Sequence, residues 1–544
     1  MGKVNGVRGR IAESLGAAME SIGLEIDPTL FVVERPARIE HGEFSTNVAM
    51  VAAKRLGENP RLLAERICGY LNENPIRHQE GLEIAGPGFI NFFLDCGYLH
   101  EELAQAVVRG EESFAQSGIG GGERVLLEFC SANPTGPLHV GNGWWASYGD
   151  ALARLLRRCG YTVSTEYYVN DTGGQIRRLG ESLLARRAGR EVEEEGYQGD
   201  YVKELAAEYS GPEDVVAAGK WAADRNLKTI KFSLDKIGIH FDVWFSQASI
   251  EESGAVEQIL DLLDSKGLIV EEDSKKIFLS TRFGDSRDRY LVKAEGDFTY
   301  LAGDIAYHYN KFVVRGFERV IDIFGADHHG QVASLKAAMD AVGVGSEKLE
   351  ILLGQMVSLL SGTDRLKFSK RKGNLIPLED LVDDLGPAAT RLLSLSTSID
   401  RATSVDLDKV KAESMDNPVY YIQYAHARMA SIERVRDQRG IALPAISEVD
   451  LSLLVHPREL ALMRELMSLP EVVEEAGLDR APYKIANWLK DFSGLFHSFY
   501  HDCYVISDAV EIELTYARLY LVAGCKVAIR VALSLLGVEA LEQM

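Results

Sequence analysis

The spacing of apolar positions changes along this chain, and each change marks a new part. Over the first hundred residues helical and extended spacing alternate. Leu62, Leu63, Ile67 and Leu71 recur at helical steps, and residues 84–94 read as one glycine-kinked strand. Residues 1–115 are therefore expected to form a small α+β unit. Gly118-Ile119-Gly120-Gly121-Gly122 has the look of a dinucleotide fingerprint, but it precedes a strand and opens no helix, so it reads as a linker. From Arg124 the pattern becomes strand, loop, helix, strand. Val125 to Phe129 is a buried-strand run, and Ser131 to Leu138 is turn chemistry with two prolines. A helix with the apolar face Trp145, Tyr148, Leu152, Leu155, Leu156 and Cys159 then runs to a stop at Gly160, and residues 161–169 are extended. Such a βαβ unit predicts a parallel, Rossmann-like sheet with ligands at the carboxyl ends of its strands.

Residues 172 to about 290 are charged and mixed, as an insertion would be, and strand character returns at Val320 to Phe324. From 386 onward nearly all periodicity is helical, with Ile485, Trp488, Leu489, Phe492, Phe496 and Phe499 on one stripe. The expected architecture is an α/β catalytic domain over 116–385, a connecting segment over 386–415 and an α-helical bundle over 416–544.

Composition narrows the function classes. The 544 residues are 46% hydrophobic and 26% charged, too apolar for disorder and too long for a single ordinary core. No apolar run approaches the roughly 18 residues of a membrane helix. The N-terminus has Lys3, Arg8 and Arg10 without an apolar stretch behind them, so a cytoplasmic protein is expected. Six cysteines occur without a C-x-x-C pair and read as buried thiols. The net charge of −22 argues against a nucleic-acid partner only on average. Basic residues cluster at Arg154, Arg157 and Arg158, at Arg186, Arg187 and Arg190, and from Lys367 to Lys372, so a local basic track is compatible with an acidic whole.

Two segments carry candidate chemistry. Pro137-Leu138-His139-Val140-Gly141-Asn142-Gly143 lies where the first strand gives way to its helix. Small glycines admit a ligand to the backbone, His139 and Asn142 offer donors, and a helix N-terminus favours negative charge: a phosphate-binding corner. Taken alone, the same string is also an ordinary capped turn. The second segment, Lys367-Phe368-Ser369-Lys370-Arg371-Lys372-Gly373-Asn374, would by itself be a solvated loop. As a pair they resemble the two-part signature of class I aminoacyl-tRNA synthetases, in which the corner holds ATP and the loop closes on its phosphates.

The resemblance sharpens to the bacterial arginyl-tRNA synthetase family on residues 128–142, 166–171, 241–246, 325–330 and 416–428, which together with the strand at 85–94 span nearly the whole chain. Two positions depart from it: Asn142 stands where the family often has a second His, and Phe368 where it usually has Met. The resemblance implies that His139, Asn142, Lys367 and Lys370 serve catalysis, with Gly141, Phe368 and Ser369 joining them around ATP and its Mg²⁺, and that the protein itself holds no metal. It implies arginine binding by Glu128, Asn133, Tyr300, Asp304 and Asp327. Asp304 would pair with the guanidinium, a permanently charged fork of donors. Without the family, Glu128 reads as a strand-end charge and Asp304 as a helix cap. Adjacent His328 and His329 on an extended turn point apart, and no third ligand lies at useful spacing.

Tyr420, Tyr424 and Arg428, at helical spacing, would meet unpaired bases of tRNA(Arg), although core packing explains part of the same stripe. The implied enzyme is a monomer that needs its tRNA for the first step. Two alternatives stay open: a tRNA-independent adenylyl or nucleotidyl transferase sharing the corner, and a non-catalytic tRNA-binding paralogue, for which Asn142 is the main argument.

Overall fold

The computed structural model describes residues 6–27, 30–36, 38–355, 357–361, 364–365, 377–406 and 417–544. At its centre is a five-stranded parallel sheet of β1 (Arg124–Glu128), β2 (Thr162–Val169), β3 (Val243–Ser246), β4 (Arg319–Gly325) and β5 (Leu349–Gly354), in the order β5-β4-β1-β2-β3. Every neighbouring pair is parallel. Val125, Leu126 and Leu127 of β1 are fully buried, as a central strand covered on both faces requires. Helix α1 (Val140–Arg158) crosses from β1 to β2 and presents the expected apolar face. Gly160 follows at φ 85°, a left-handed conformation that glycine takes without steric cost.

Two expectations change. The segment 84–94 is a hairpin of two strands, Gln79–Ala85 and Phe89–Leu94, in a four-stranded antiparallel sheet. Gly86 and Gly88, at φ 49° and 142°, reverse the chain instead of kinking it. The charged stretch 172–290 is also not one continuous insertion. It contains β3, which pairs with β2 and completes the parallel sheet. A four-residue strand carries too little periodicity to stand out among the helices Gly173–Arg187, Asp200–Glu208 and Val215–Lys236 around it.

Helix α2 (Tyr300–Tyr309) leads through a π turn at Asn310–Val314 into β4, and α3 (His329–Val342) follows β4. The C-terminal third is helical, built on α4 (Pro418–Gln438), α5 (Tyr483–Asp502) and α6 (Ile512–Leu535), with Phe492, Phe496 and Phe499 fully buried. Arg391 joins the parts. Its fully buried guanidinium pairs with Asp150 of α1 and donates to the carbonyls of Ile237 at 3.0 Å and Leu536 at 2.8 Å. None of the helices described is long and apolar enough to cross a membrane.

Candidate active site

The corner forms where β1 ends. Cys130 and Ser131 follow Glu128 with φ of 70° and 23°, left-handed values that cost a non-glycine residue energy and recur at functional sites. The next residues are tied down from outside: Tyr167 donates to the Ala132 carbonyl at 2.8 Å, Asn226 to that of Pro134 at 3.0 Å and Tyr201 to that of Thr135 at 2.7 Å. Two of these three ties come from the helical insertion, which thereby braces the loop that delivers His139.

His139 is the N-cap of α1. Its Nδ1 accepts from the Asn142 N–H at 3.4 Å, and its own N–H donates to Asn142 Oδ1 at 3.2 Å, a reciprocal capping box. Because Nδ1 is the acceptor, the proton of a neutral ring lies on Nε2. Asn142 is buried and its amide oxygen closes the cap, so what the structure shows for this residue is support of the corner. A Cβ at Gly141 would lie 3.0 Å from the His139 ring, and one at Gly143 would lie 2.4 Å from Leu378, so both glycines keep the corner tight. Lys367, Phe368, Ser369 and Lys370 lie outside the described residues. The described chain resumes at Pro377, which bridges to His139, and Leu378 N–H donates to the Leu138 carbonyl at 2.9 Å.

Across the sheet, α2 presents Asp304. It is half-buried, and among the described residues no hydrogen bond or ion pair reaches its carboxylate. Burial and the Glu128 charge raise its carboxyl to about 6, while His308, Lys311 and His328 pull the other way. Glu128 already has partners inside the protein. Its Oε2 accepts from Lys311 Nζ at 2.7 Å and Tyr307 OH at 2.9 Å, and its Oε1 accepts from Ser131 at 3.0 Å. Its charge is thus paired inside the protein. Asn133 is half-buried and donates to Gln175 at 2.8 Å. Tyr300, one turn before Asp304 on the same helix, is 71% exposed and stands at the rim. Asp327 is exposed on the turn after β4, with its carboxylate 3.7 Å from His328.

The sequence reading missed the groups beneath Asp304. Tyr307, His308, Lys311 and Arg315 are buried or half-buried below it, against Glu128, Glu166 and Asp322. Their signal was present: Asp304, Tyr307 or His308, Lys311 and Arg315 recur at three- and four-residue steps, the period of one helix face. With this geometry in place, the similarity to known proteins is decisive. The class I (R) tRNA synthetase catalytic-domain model matches residues 102–431, the arginyl-tRNA synthetase N-terminal domain model residues 9–94, and the DALR anticodon-binding domain model residues 422–544. An arginine–tRNA ligase from Carboxydothermus hydrogenoformans is 41% identical over 99% of both chains.

The chain belongs to the arginyl-tRNA synthetase family.

Among solved structures, an arginyl-tRNA synthetase from Campylobacter jejuni superposes with a TM-score of 0.75 at 36% identity, covering 83% of this chain and all of that one. That of Thermus thermophilus gives 0.77 at 21% identity over 99% and 100%, a likeness of fold. Class I membership makes this synthetase an ATP-binding protein. Its helix α4 has two distinct faces. Ile422, Ala425 and Met429 are buried, whereas Tyr420, Tyr421, Tyr424 and Arg428 are half-exposed. Tyr420 stacks on Tyr424 at 5.7 Å, and the Arg428 guanidinium lies 4.3 Å over Tyr424 and 4.5 Å over Tyr500. Beside this row a cavity of about 610 Å³ is lined by Tyr421, Lys490, Asp491 and Ser498.

Proposed function

We propose that this synthetase activates L-arginine with ATP and transfers it to the 3′ end of tRNA(Arg). An arginine carboxylate oxygen attacks the α-phosphorus and pyrophosphate leaves. A terminal ribose hydroxyl of the tRNA then attacks the arginyl carbonyl, and AMP leaves. No protein nucleophile is needed. Catalysis rests on positioning and on donors aimed where negative charge develops. His139 Nε2 and the first backbone N–H groups of α1 face the phosphates, with Gly141 giving close approach and Asn142 fixing the His139 ring. Lys367 and Lys370, which flank Phe368 and Ser369 in the sequence, supply positive charge to the same phosphates, as the family resemblance implies. Among the described residues the corner offers donors and no carboxylate, which fits phosphate oxygens; Mg²⁺ would arrive bound to the nucleotide and would neutralise part of its charge.

Asp304 takes the guanidinium, Tyr300 closes over its stem, and Asn133 and Asp327 face the backbone end of the amino acid. Tyr420, Tyr424 and Arg428 receive unpaired tRNA bases. The enzyme works as a cytoplasmic monomer, with catalysis in 116–385 and tRNA reading in 416–544. The observation that supports this reading best is Asp304: a carboxylate that no hydrogen bond or ion pair reaches among the described residues, above a cluster whose charges are already paired with one another. Pyrophosphate exchange tests it and is expected to require arginine and tRNA together. Exchange without tRNA would favour an adenylyl transferase, and no exchange in any combination a binding paralogue.

A further inference from the structure

Beneath Asp304 sits a set of charges that the reaction as written leaves idle. Lys311 is fully buried, with Nζ 2.7 Å from Glu128 Oε2, 2.9 Å from Asp322 Oδ1 and 4.2 Å from the centre of the Tyr307 ring. One ammonium therefore serves carboxylates from two adjacent strands, β1 and β4. His308 places Nε2 at 2.7 Å from the other Asp322 oxygen and Nδ1 at 2.7 Å from the Asp304 carbonyl, so both ring nitrogens face acceptors. Glu166 is taken by the fork of Arg315.

We propose that Lys311 and His308 are the positioning residues that set the pocket's specificity: they consume the charges of Glu128 and Asp322 and leave Asp304 as the carboxylate available to one permanent cation. Rearranging these pairs would leave a buried charge uncompensated, which makes the assignment rigid. The electrostatics agree. Burial alone would lower the Lys311 ammonium and raise the Asp322 carboxyl, yet their mutual attraction holds Lys311 above and Asp322 below the usual range. The groups facing Asp304 are Glu128 from β1, Tyr168 from β2, His308 and Lys311 from its own helix and the π turn, and His328 from the turn after β4. The helices packed alongside, Ala255–Ser265 and α3, bury the apolar faces of Val256, Ile259 and Leu260 and of Leu335 and Ala338.

This inference rests on the arginine site proposed above. Its test is the acid limb of arginine kcat/KM in tRNA-dependent aminoacylation by the full-length enzyme, expected near pH 6 from Asp304. Lys311→Met and His308→Gln each remove a positive neighbour and should move the limb upward by about one pH unit, or about fivefold in kcat/KM at pH 6. Glu128→Gln removes a negative neighbour and should move it downward. Packing damage would lower activity at every pH without shifting the limb in opposite directions. Limbs that stay in place, or that all move the same way, overturn the proposal. If Lys311→Met does not fold, the other two variants still decide. An unchanged arginine KM in Asp304→Asn would instead overturn the underlying arginine site, so the two failures are distinguishable.

Discussion

At the carboxyl end of the sheet, charge is buried, paired and immobile. Along α4 the polar and aromatic groups are half-exposed and already stacked on one another. On the function proposed above, the difference follows from the size of the two ligands. A small cation can be read by a rigid low-dielectric pocket in which one acid is left unmatched, because each uncompensated charge there carries a large energy. A folded RNA is too large to enclose, so its bases have to be met on a surface whose rings keep each other in place until a base replaces a contact. The first region should respond to charge changes strongly and with pH, and the second weakly and with salt.

The largest expected effect is at Asp304. Asp304→Asn should weaken arginine binding by roughly 100-fold or more, about 3 kcal/mol, because a charge-assisted contact is lost while the guanidinium is still desolvated. Calorimetry with arginine checks it, and equal affinity would remove Asp304 from the pocket. The pH dependence has a definite sign. Asp304 is raised to about 6 in the free protein, and a bound guanidinium favours its charged form. Affinity should therefore be full above pH 6 and decline as pH falls through that value. The same raised pKa means that ionised Asp304 destabilises the unliganded fold at neutral pH. Asp304→Asn should then gain about 1–2 kcal/mol in thermal unfolding at pH 7.5, discounted for partial exposure.

Next in size is Lys370→Ala, which should raise the activation barrier by about 3 kcal/mol while leaving arginine affinity nearly intact. Single-turnover activation reads the first quantity and calorimetry the second. Unchanged turnover would mean that the lysine segment plays no part in the chemistry. In the second region, Arg428→Ala should cost about 1–2 kcal/mol of tRNA affinity and reduce its salt dependence, without altering arginine binding. An arginine KM that moved instead would show that the two regions are not separable in this way.

How much of this was legible in the sequence differs between the regions for the same reason. The βαβ unit and the stripe from Ile485 to Phe499 follow from periodicity, because each element buries one face. The hairpin at Gly86 to Gly88 and the short strand Val243–Ser246 did not, since a turn's direction and the pairing of four residues are set by distant partners. At the site, His139 stood out by motif and Asp304 only through the family resemblance. That Glu128 is neutralised could not be foreseen, because Lys311 lies 183 residues away in the chain. Buried polar networks depend on which strands become neighbours, and composition or spacing within a strand does not encode that.

Asn142 gives the smallest expected effect, and it separates position from chemistry most sharply. Its amide oxygen caps the His139 N–H, and its own N–H is bonded to the His139 ring. Asn142→Ala removes the side-chain half of that exchange and should cost about 1 kcal/mol of stability, the usual price of a lost cap. If the amide only steadies the corner, activation should fall no further than a loosened His139 explains, and Asn142→Asp, which keeps the accepting oxygen, should restore the stability. Adding a negative charge beside the phosphates should then lower activation in that variant alone. Recovery of both quantities in Asn142→Asp would mean that the phosphates do not lie against this end of α1.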